Sequence, residues 1–211
     1  MATLGTPDPD RDLGKRAADL AHDFNNMLLA MTACLELIRS RSTEARVVEF
    51  AGHGLDTIGR GQALVDRVLG LGGIAPPAPE GRPSEPAPPP PSTQQQRTIL
   101  VIDDDIDVRL VLVELLQSLG YRLIEAGDAA AGLAALDHKP DLAIVDCELG
   151  GQSGIDIATQ MLDRRPGLPI IFATGYSEVR SADPRLAAAP FLHKPFRIAE
   201  LAKTVSIALG A

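Results

Sequence analysis

Aromatic side chains are scarce: the 211 residues hold no tryptophan, two tyrosines and five phenylalanines. A core without large rings must be filled by Ala, Leu, Val and Ile, which favours helices and close helix–sheet packing. Only two cysteines occur, Cys34 and Cys147, far apart and without a CxxC spacing. That argues against a disulfide framework and fits a reduced, cytoplasmic protein. Positive charge is in deficit, 20 Lys and Arg against 28 Asp and Glu, a net charge of −8. Such a balance argues against non-specific nucleic-acid binding. No apolar run approaches the roughly 18 residues of a membrane span. The first residues, M-A-T-L-G-T-P-D-P-D, lack the basic and apolar regions of a signal peptide. A Walker-type glycine loop for nucleotide phosphates is also missing.

What the chain does have is organised around T-I-L-V-I-D-D-D at positions 98–105. Five largely β-branched and apolar residues suit one strand buried on both faces, as in a parallel sheet covered by helices. The run opens directly onto three acids. At the C-terminal end of such a strand, where α/β folds build their sites, three acids require a cation among them.

Upstream, residues 1–10 read as a frayed leader. Leu13, Ala17, Leu20, Phe24, Met27 (or Leu28), Met31, Leu35 and Ile38 then recur at spacings of three and four. This predicts a long helix with an a/d-like seam, with Asp10 or Asp12 as its N-cap. Ser42 or Thr43 can cap a second helix carrying Val48, Ala51, Leu55, Ile58, Gln62, Val65 and Leu69. Gly52, Gly54, Gly59 and Gly61 weaken that helix, so it should depend on packing. Together the two form an antiparallel helical hairpin over residues 11–74. A hairpin alone buries too little, which predicts a homodimer through a four-helix bundle. Residues 75–97 are proline-rich and read as a semi-rigid extended linker.

Residues 98–211 alternate strands and helices. Strands are expected at Ile99–Asp103, Arg122–Glu125, Leu142–Asp146, Pro169–Ala173 and Phe191–His193. Helices are expected at Val108–Ser118, Ala129–Asp137, Ile155–Arg164 and Ile198–Leu209, with a short weak one near Ser177–Ala187 broken by Pro184. The fold class is therefore α + α/β: a helical hairpin followed by a doubly wound, flavodoxin-like (βα)5 domain. Asp103, Asp104 and Asp105 follow the first strand, Asp146 ends the third, Thr174 follows the fourth and Lys194 the fifth. In a doubly wound sheet these ends share one edge. Carboxylates beside a hydroxyl and an ammonium suit Mg²⁺ and a phosphoryl group. A carboxylate held there can attack phosphorus. Taken singly, such an Asp is more often a helix cap, and Asp105 and Asp107 fit that role.

The strings V-I-D-D-D, A-I-V-D, F-A-T-G-Y and F-L-H-K-P-F, in this order and spacing, resemble the receiver domain of two-component response regulators. The resemblance implies that Asp146 is the phosphoacceptor. It implies that Asp103 and Asp104, with Asp146 and the backbone carbonyl of Glu148, hold Mg²⁺. Thr174 and Lys194 would bind the phosphoryl group, Phe191 matches the switch aromatic, and Lys194-Pro195 matches a bond often cis in the family. Gly150 replaces a usual proline, which predicts a more mobile loop, and Glu148 adds a carboxylate beside the site.

On the first predicted helix, L-A-H-D-F-N-N-M-L resembles the H-box of histidine-kinase dimerisation and phosphotransfer domains. That resemblance covers about residues 12–73. It implies that His22 is a phosphorylated histidine, Asp23 its adjacent acid, and Asn26 a position that aids hydrolysis of phospho-aspartate. Without the resemblance, His22 is an exposed helix histidine. No ATP-binding domain follows the hairpin, so ATP-dependent self-phosphorylation is not expected. The chain starts at Met and ends after a final helix, which reads as a whole protein rather than a kinase fragment. Two functions are compatible with this content. One is a phosphorelay protein exchanging phosphoryl groups through Asp146 and His22 with a histidine kinase, a phosphotransfer protein or another response regulator. The other is a dimeric adaptor, switched by the receiver, that regulates a kinase while His22 stays inert.

Overall fold

The computed structural model describes residues 9–68, 97–175 and 182–210, with side chains outside that description at 9–19, 21–22 and 64–68. The expected leader lies largely outside these residues, and so does the proline-rich linker except for Arg97.

The sheet sits at the centre of the C-terminal half. Strands β1 (Thr98–Ile102), β2 (Arg122–Ala126), β3 (Leu142–Asp146), β6 (Ile170–Thr174) and β7 (Phe191–His193) pair in the order β2-β1-β3-β6-β7. Every pair is parallel, the doubly wound arrangement expected from the alternating pattern. All five residues of β3 and of β6 are buried, because helices cover both faces. Alternate side chains build two cores. On one face, Leu100, Ile102, Val145 and Phe172 meet Ile157 and Met161 of α5 (Gly154–Arg164). On the other, Ile99, Val101, Ile144 and Ile171 meet Leu112 and Leu116 of α3 (Ile106–Ser118) and Leu201 and Val205 of α6 (Ile198–Ala208).

Boundaries moved by a residue or two at most ends. The expected helix at 129–137 divides into α4 (Ala129–Ala134) and a tighter turn over Ala135–His138. Lys139 then adopts a left-handed conformation, φ 53°, where the following Pro140 disfavours a continued helix. The segment after Asp146 closes into a two-residue hairpin between β4 (Glu148–Leu149) and β5 (Gln152–Ser153). Gly150 and Gly151, at φ 55° and 86°, supply the positive angles this turn needs. The glycine expected to loosen the loop is therefore what forms its turn. Of the weak helix expected near Ser177–Ala187, residues 177–181 lie outside the description; the rest holds one short turn, Pro184–Leu186, capped by Asp183.

At the N-terminus, α1 (Pro9–Arg41) and α2 (Ala45–Val68) pack together as a helical pair. The first helix starts at Pro9, one residue before the expected cap Asp10, since proline's fixed φ suits an opening helical turn. Gly54 explains one of the glycines in α2. A Cβ there would fall 2.6 Å from Leu35 Cδ1 of α1, so its absence permits close approach of the two helices.

The hairpin is seated on the sheet domain. Leu29 and Ala33 of α1, 0% and 1% exposed, belong to the same core cluster as α3, α6 and the sheet. Leu20, Phe24, Met27, Met31 and Ile38, five residues of the predicted seam, remain exposed instead. Among the described residues, no helix is long and apolar enough to cross a membrane.

Candidate functional site

The strand ends deliver their polar residues to one edge. Asp103 follows β1, Asp146 closes β3, Thr174 closes β6, and Lys194 follows β7. All four are at most 3% exposed. Lys194 Nζ donates to Asp146 Oδ2 at 2.6 Å and to Asp103 Oδ2 at 2.9 Å. Burying three charges is tolerable only because they are paired so closely.

Local hydrogen bonds fix each acid. Asp103 Oδ1 accepts the Asp105 N–H at 3.0 Å, and its backbone carbonyl accepts from Arg109 Nη1 at 2.6 Å. Asp146 Oδ1 accepts the Glu148 N–H at 3.2 Å. Exposed Asp104 accepts the Gly150 N–H at 2.9 Å, so the β4–β5 turn reaches back to the acidic pair. Asp105 caps α3 through the Asp107 and Val108 N–H groups, as expected. The Lys194–Pro195 bond is cis, matching the resemblance.

Electrostatics follow from burial. Desolvation pushes the Asp103 carboxyl up, opposed by Lys194 and reinforced by the Asp146 charge. Burial disfavours the charged Lys194 ammonium, but Asp146 and Asp103 outweigh it and the net shift is upward. The Cys147 thiol is pushed up to about 12, by burial first and then by Asp146, so it is a protonated packing group rather than a nucleophile.

One oxygen from each of Asp103, Asp104 and Asp146 lies within 4.8 Å of the others. An all-oxygen set with an exposed member suits a hard divalent cation that keeps several waters, so these residues fit Mg²⁺.

Helix α1 also reaches this edge, which sequence reasoning did not anticipate. Asn26 Oδ1 accepts from Lys194 Nζ at 3.2 Å, and Asn26 Nδ2 donates to Asp105 Oδ2 at 3.1 Å. Asn25 Nδ2 donates to the carbonyl of Gly175, the residue after Thr174, at 3.0 Å. Three turns on, buried Glu36 accepts the N–H of Ile198, the first residue of α6, whose own N-cap Arg197 makes no side-chain capping bond. Burial holds the Glu36 carboxyl above its usual range despite that bond. Asn25 and Glu36 were legible only as polar residues interrupting an apolar helix. Asp23 is exposed, and the His22 side chain lies outside the described residues. Its backbone places it one turn from Asn26, about 6 Å along the axis.

The family model described as the response regulator receiver domain matches residues 99–206, half of the chain. The chain belongs to the response regulator receiver family. It is similar to the transcriptional regulatory protein PdtaR of Mycobacterium tuberculosis, 36% identical over 115 residues, covering 51% of this chain and 54% of PdtaR. It is similar to sporulation initiation phosphotransferase F of Bacillus subtilis, 33% identical over 109 residues, covering 49% of this chain and 86% of the relative. The chain spans about half the length of PdtaR. In structure it resembles the CheY-like receiver domain protein of Methanospirillum hungatei, with a TM-score of 0.51 and 25% identity. That match covers 55% of this chain and 95% of that one. The receiver thus accounts for the sheet domain, and the helical pair lies outside the matched residues.

Proposed function

We propose that the chain is a phosphorelay signalling protein in which Asp146 accepts a phosphoryl group and His22 exchanges it with partners. The observation that carries this reading is the convergence of Asp103, Asp104, Asp146, Thr174 and Lys194 at one sheet edge. An Asp146 oxygen attacks phosphorus on a phosphohistidine; the P–O bond forms as the P–N bond breaks and the imidazole leaves. Mg²⁺ held by Asp103, Asp104, Asp146 and the Glu148 carbonyl would neutralise charge on the transferring oxygens. Lys194 and the Thr174 hydroxyl bind those oxygens. The phosphoryl group comes from a histidine kinase, a phosphotransfer protein or another regulator, since in this reading the chain does not use ATP itself. Two unpaired thiols, Cys34 and Cys147, suit the reducing cytoplasm expected for it.

His22 is tested by incubating the full chain with a phosphorylated kinase and following the label. Acid-labile label that vanishes in His22→Ala supports the relay. Label confined to Asp146, with onward transfer unchanged in His22→Ala, sinks it. The second reading is the adaptor with His22 inert, and the seating of α1 on its own receiver favours it.

The exposed stripe of Leu20, Phe24, Met27, Met31 and Ile38 supports a homodimer. It continues into an apolar groove of about 520 Å³ lined by Met31, Cys34, Leu35, His53 and Ile58. A stripe with helical spacing that stays exposed among the described residues fits a second copy in a four-helix bundle. Light scattering of the full chain should give a dimer, and Met31→Asp a monomer. A wild-type monomer at all concentrations would remove the bundle from this reading.

A further inference from the structure

Helix α1 carries two faces. One is the exposed seam. The other places Asn25, Asn26, Leu29, Thr32, Ala33 and Glu36, all buried, at spacings of three, four and seven. Three of these make polar contacts to three separate landmarks of the receiver: Gly175, Lys194 and the start of α6. Leu29 and Ala33 fill the core between them. With α1 in place, Lys194, Asp146 and Asn26 are each less than 5% exposed, while Asp104 stays open to solvent.

We propose that α1 is a displaceable strap over the phosphorylation site, and that its seating competes with phosphoryl occupancy of Asp146. This rests on the reading of Asp146 as acceptor. A phosphoryl group on Asp146 carries about two negative charges and three strong acceptor oxygens, and these compete for the Lys194 ammonium that Asn26, Asp103 and Asp146 now share. Lys194 spends its longest contact on the neutral Asn26 oxygen. A charged phosphoryl oxygen takes that donor in preference. The Asn26 oxygen then faces an acceptor with an acceptor. Rotating the carboxamide to offer its NH₂ instead breaks the bond to Asp105.

The second contact is equally exposed to the site's state. Asn25 holds the carbonyl next to Thr174, so a hydroxyl drawn toward a phosphoryl group pulls on Gly175. The seat is already imperfect, because the side-chain oxygen of Asn25, Oδ1, is buried with no partner among the described residues. A buried unpaired acceptor weakens the seated state and lowers the barrier to release. Glu36, the Arg41–Glu114 ion pair to α3 and the apolar packing of Leu29, Ala33 and Leu37 then hold α1. Release bares the receiver face and the Asn-bearing face of α1 together. The partner that fits either is a helix of this kind, or a receiver, from another protein.

Competition is reciprocal: whatever loosens α1 must tighten binding at Asp146 by the same factor. The test uses the full chain with Mg²⁺ and beryllofluoride, a phosphoryl mimic, while amide hydrogen exchange is followed over residues 23–38. Binding at Asp146 is followed separately by fluorine NMR, with Asp146→Asn as the blank. Exchange over 23–38 should rise at least about 5-fold when the mimic binds. In Glu36→Ala, which loses a contact remote from the site, apparent affinity for the mimic should rise roughly 5- to 30-fold. A bound fluorine signal with exchange unchanged or slowed overturns the strap and leaves the acceptor intact. Absence of any Asp146-dependent signal overturns the acceptor reading, and the strap with it.

Discussion

Replacing Asp146 with Asn should leave a folded chain that no longer takes a phosphoryl group. The carboxamide is nearly the same size and keeps an oxygen to accept the Glu148 N–H. It lacks the charged oxygen that attacks phosphorus, so base-labile label from a phosphorylated kinase should fall by at least about 10⁴-fold, the scale on which removing a nucleophile acts. Folding should be little affected. Asp146 and Asp103 share Lys194, and the charge on Asp146 is one of the causes that raise Asp103. Neutralising Asp146 removes that repulsion while Lys194 keeps Asp103 and Asn26 as acceptors. Thermal unfolding should therefore give a stability within about 1.5 kcal/mol of wild type, the worth of one hydrogen bond. Wild-type labelling of the Asn variant would move the acceptor elsewhere. Collapse of the fold would mean that Asp146 is a structural ion-pair partner before it is a nucleophile.

The receiver site was readable because each residue follows a strong local signal. An apolar strand running into acids marks Asp103 and Asp104, and A-I-V-D and F-A-T do the same for Asp146 and Thr174. Parallel order then brings these ends together without any further information. Asp105 was readable as a cap because it precedes a helical pattern. The seating of α1 was not readable, and the reason is physical. The helix is apolar on more than one face, so spacing identifies stripes without assigning their partners. Phe24, Met27 and Met31 sit on the exposed stripe, while Leu29 and Ala33, one or two positions away, face the receiver. The decisive polar contacts join residues from 79 to 168 positions apart, as with Asn26 to Asp105 and to Lys194. Nothing local to L-E-L-I distinguishes an acid that caps a distant helix from one that meets water.

Gly154→Ala should be the most damaging small substitution in the receiver, because no side chain can yield to it. A Cβ at Gly154 would lie 1.8 Å from the backbone oxygen of Asp146, 2.8 Å from its carbonyl carbon and 3.0 Å from Cys147 Cα. All three are main-chain atoms at the end of β3. Gly154 also donates its N–H to the Cys147 carbonyl at 2.8 Å, so α5 cannot retreat without breaking the bond that docks it. Gly132 offers the contrast. Its Cβ would meet Ile102 Cδ1 at 2.6 Å, the end of a side chain that can change rotamer. Overpacking typically costs about 1–3 kcal/mol, and more where the backbone must shift. Gly154→Ala should therefore cost about 3 kcal/mol or more, a fall in melting temperature beyond about 12 °C for a domain of this size. Gly132→Ala should lie near the lower end of the same range. The displaced backbone belongs to Asp146 itself, so phosphoryl acceptance should also fall at temperatures where the variant is still folded. Melting of Gly154→Ala within about 2 °C of wild type would show that α5 can move away from the acceptor strand, and that the tight seat of Asp146 is not fixed by this glycine.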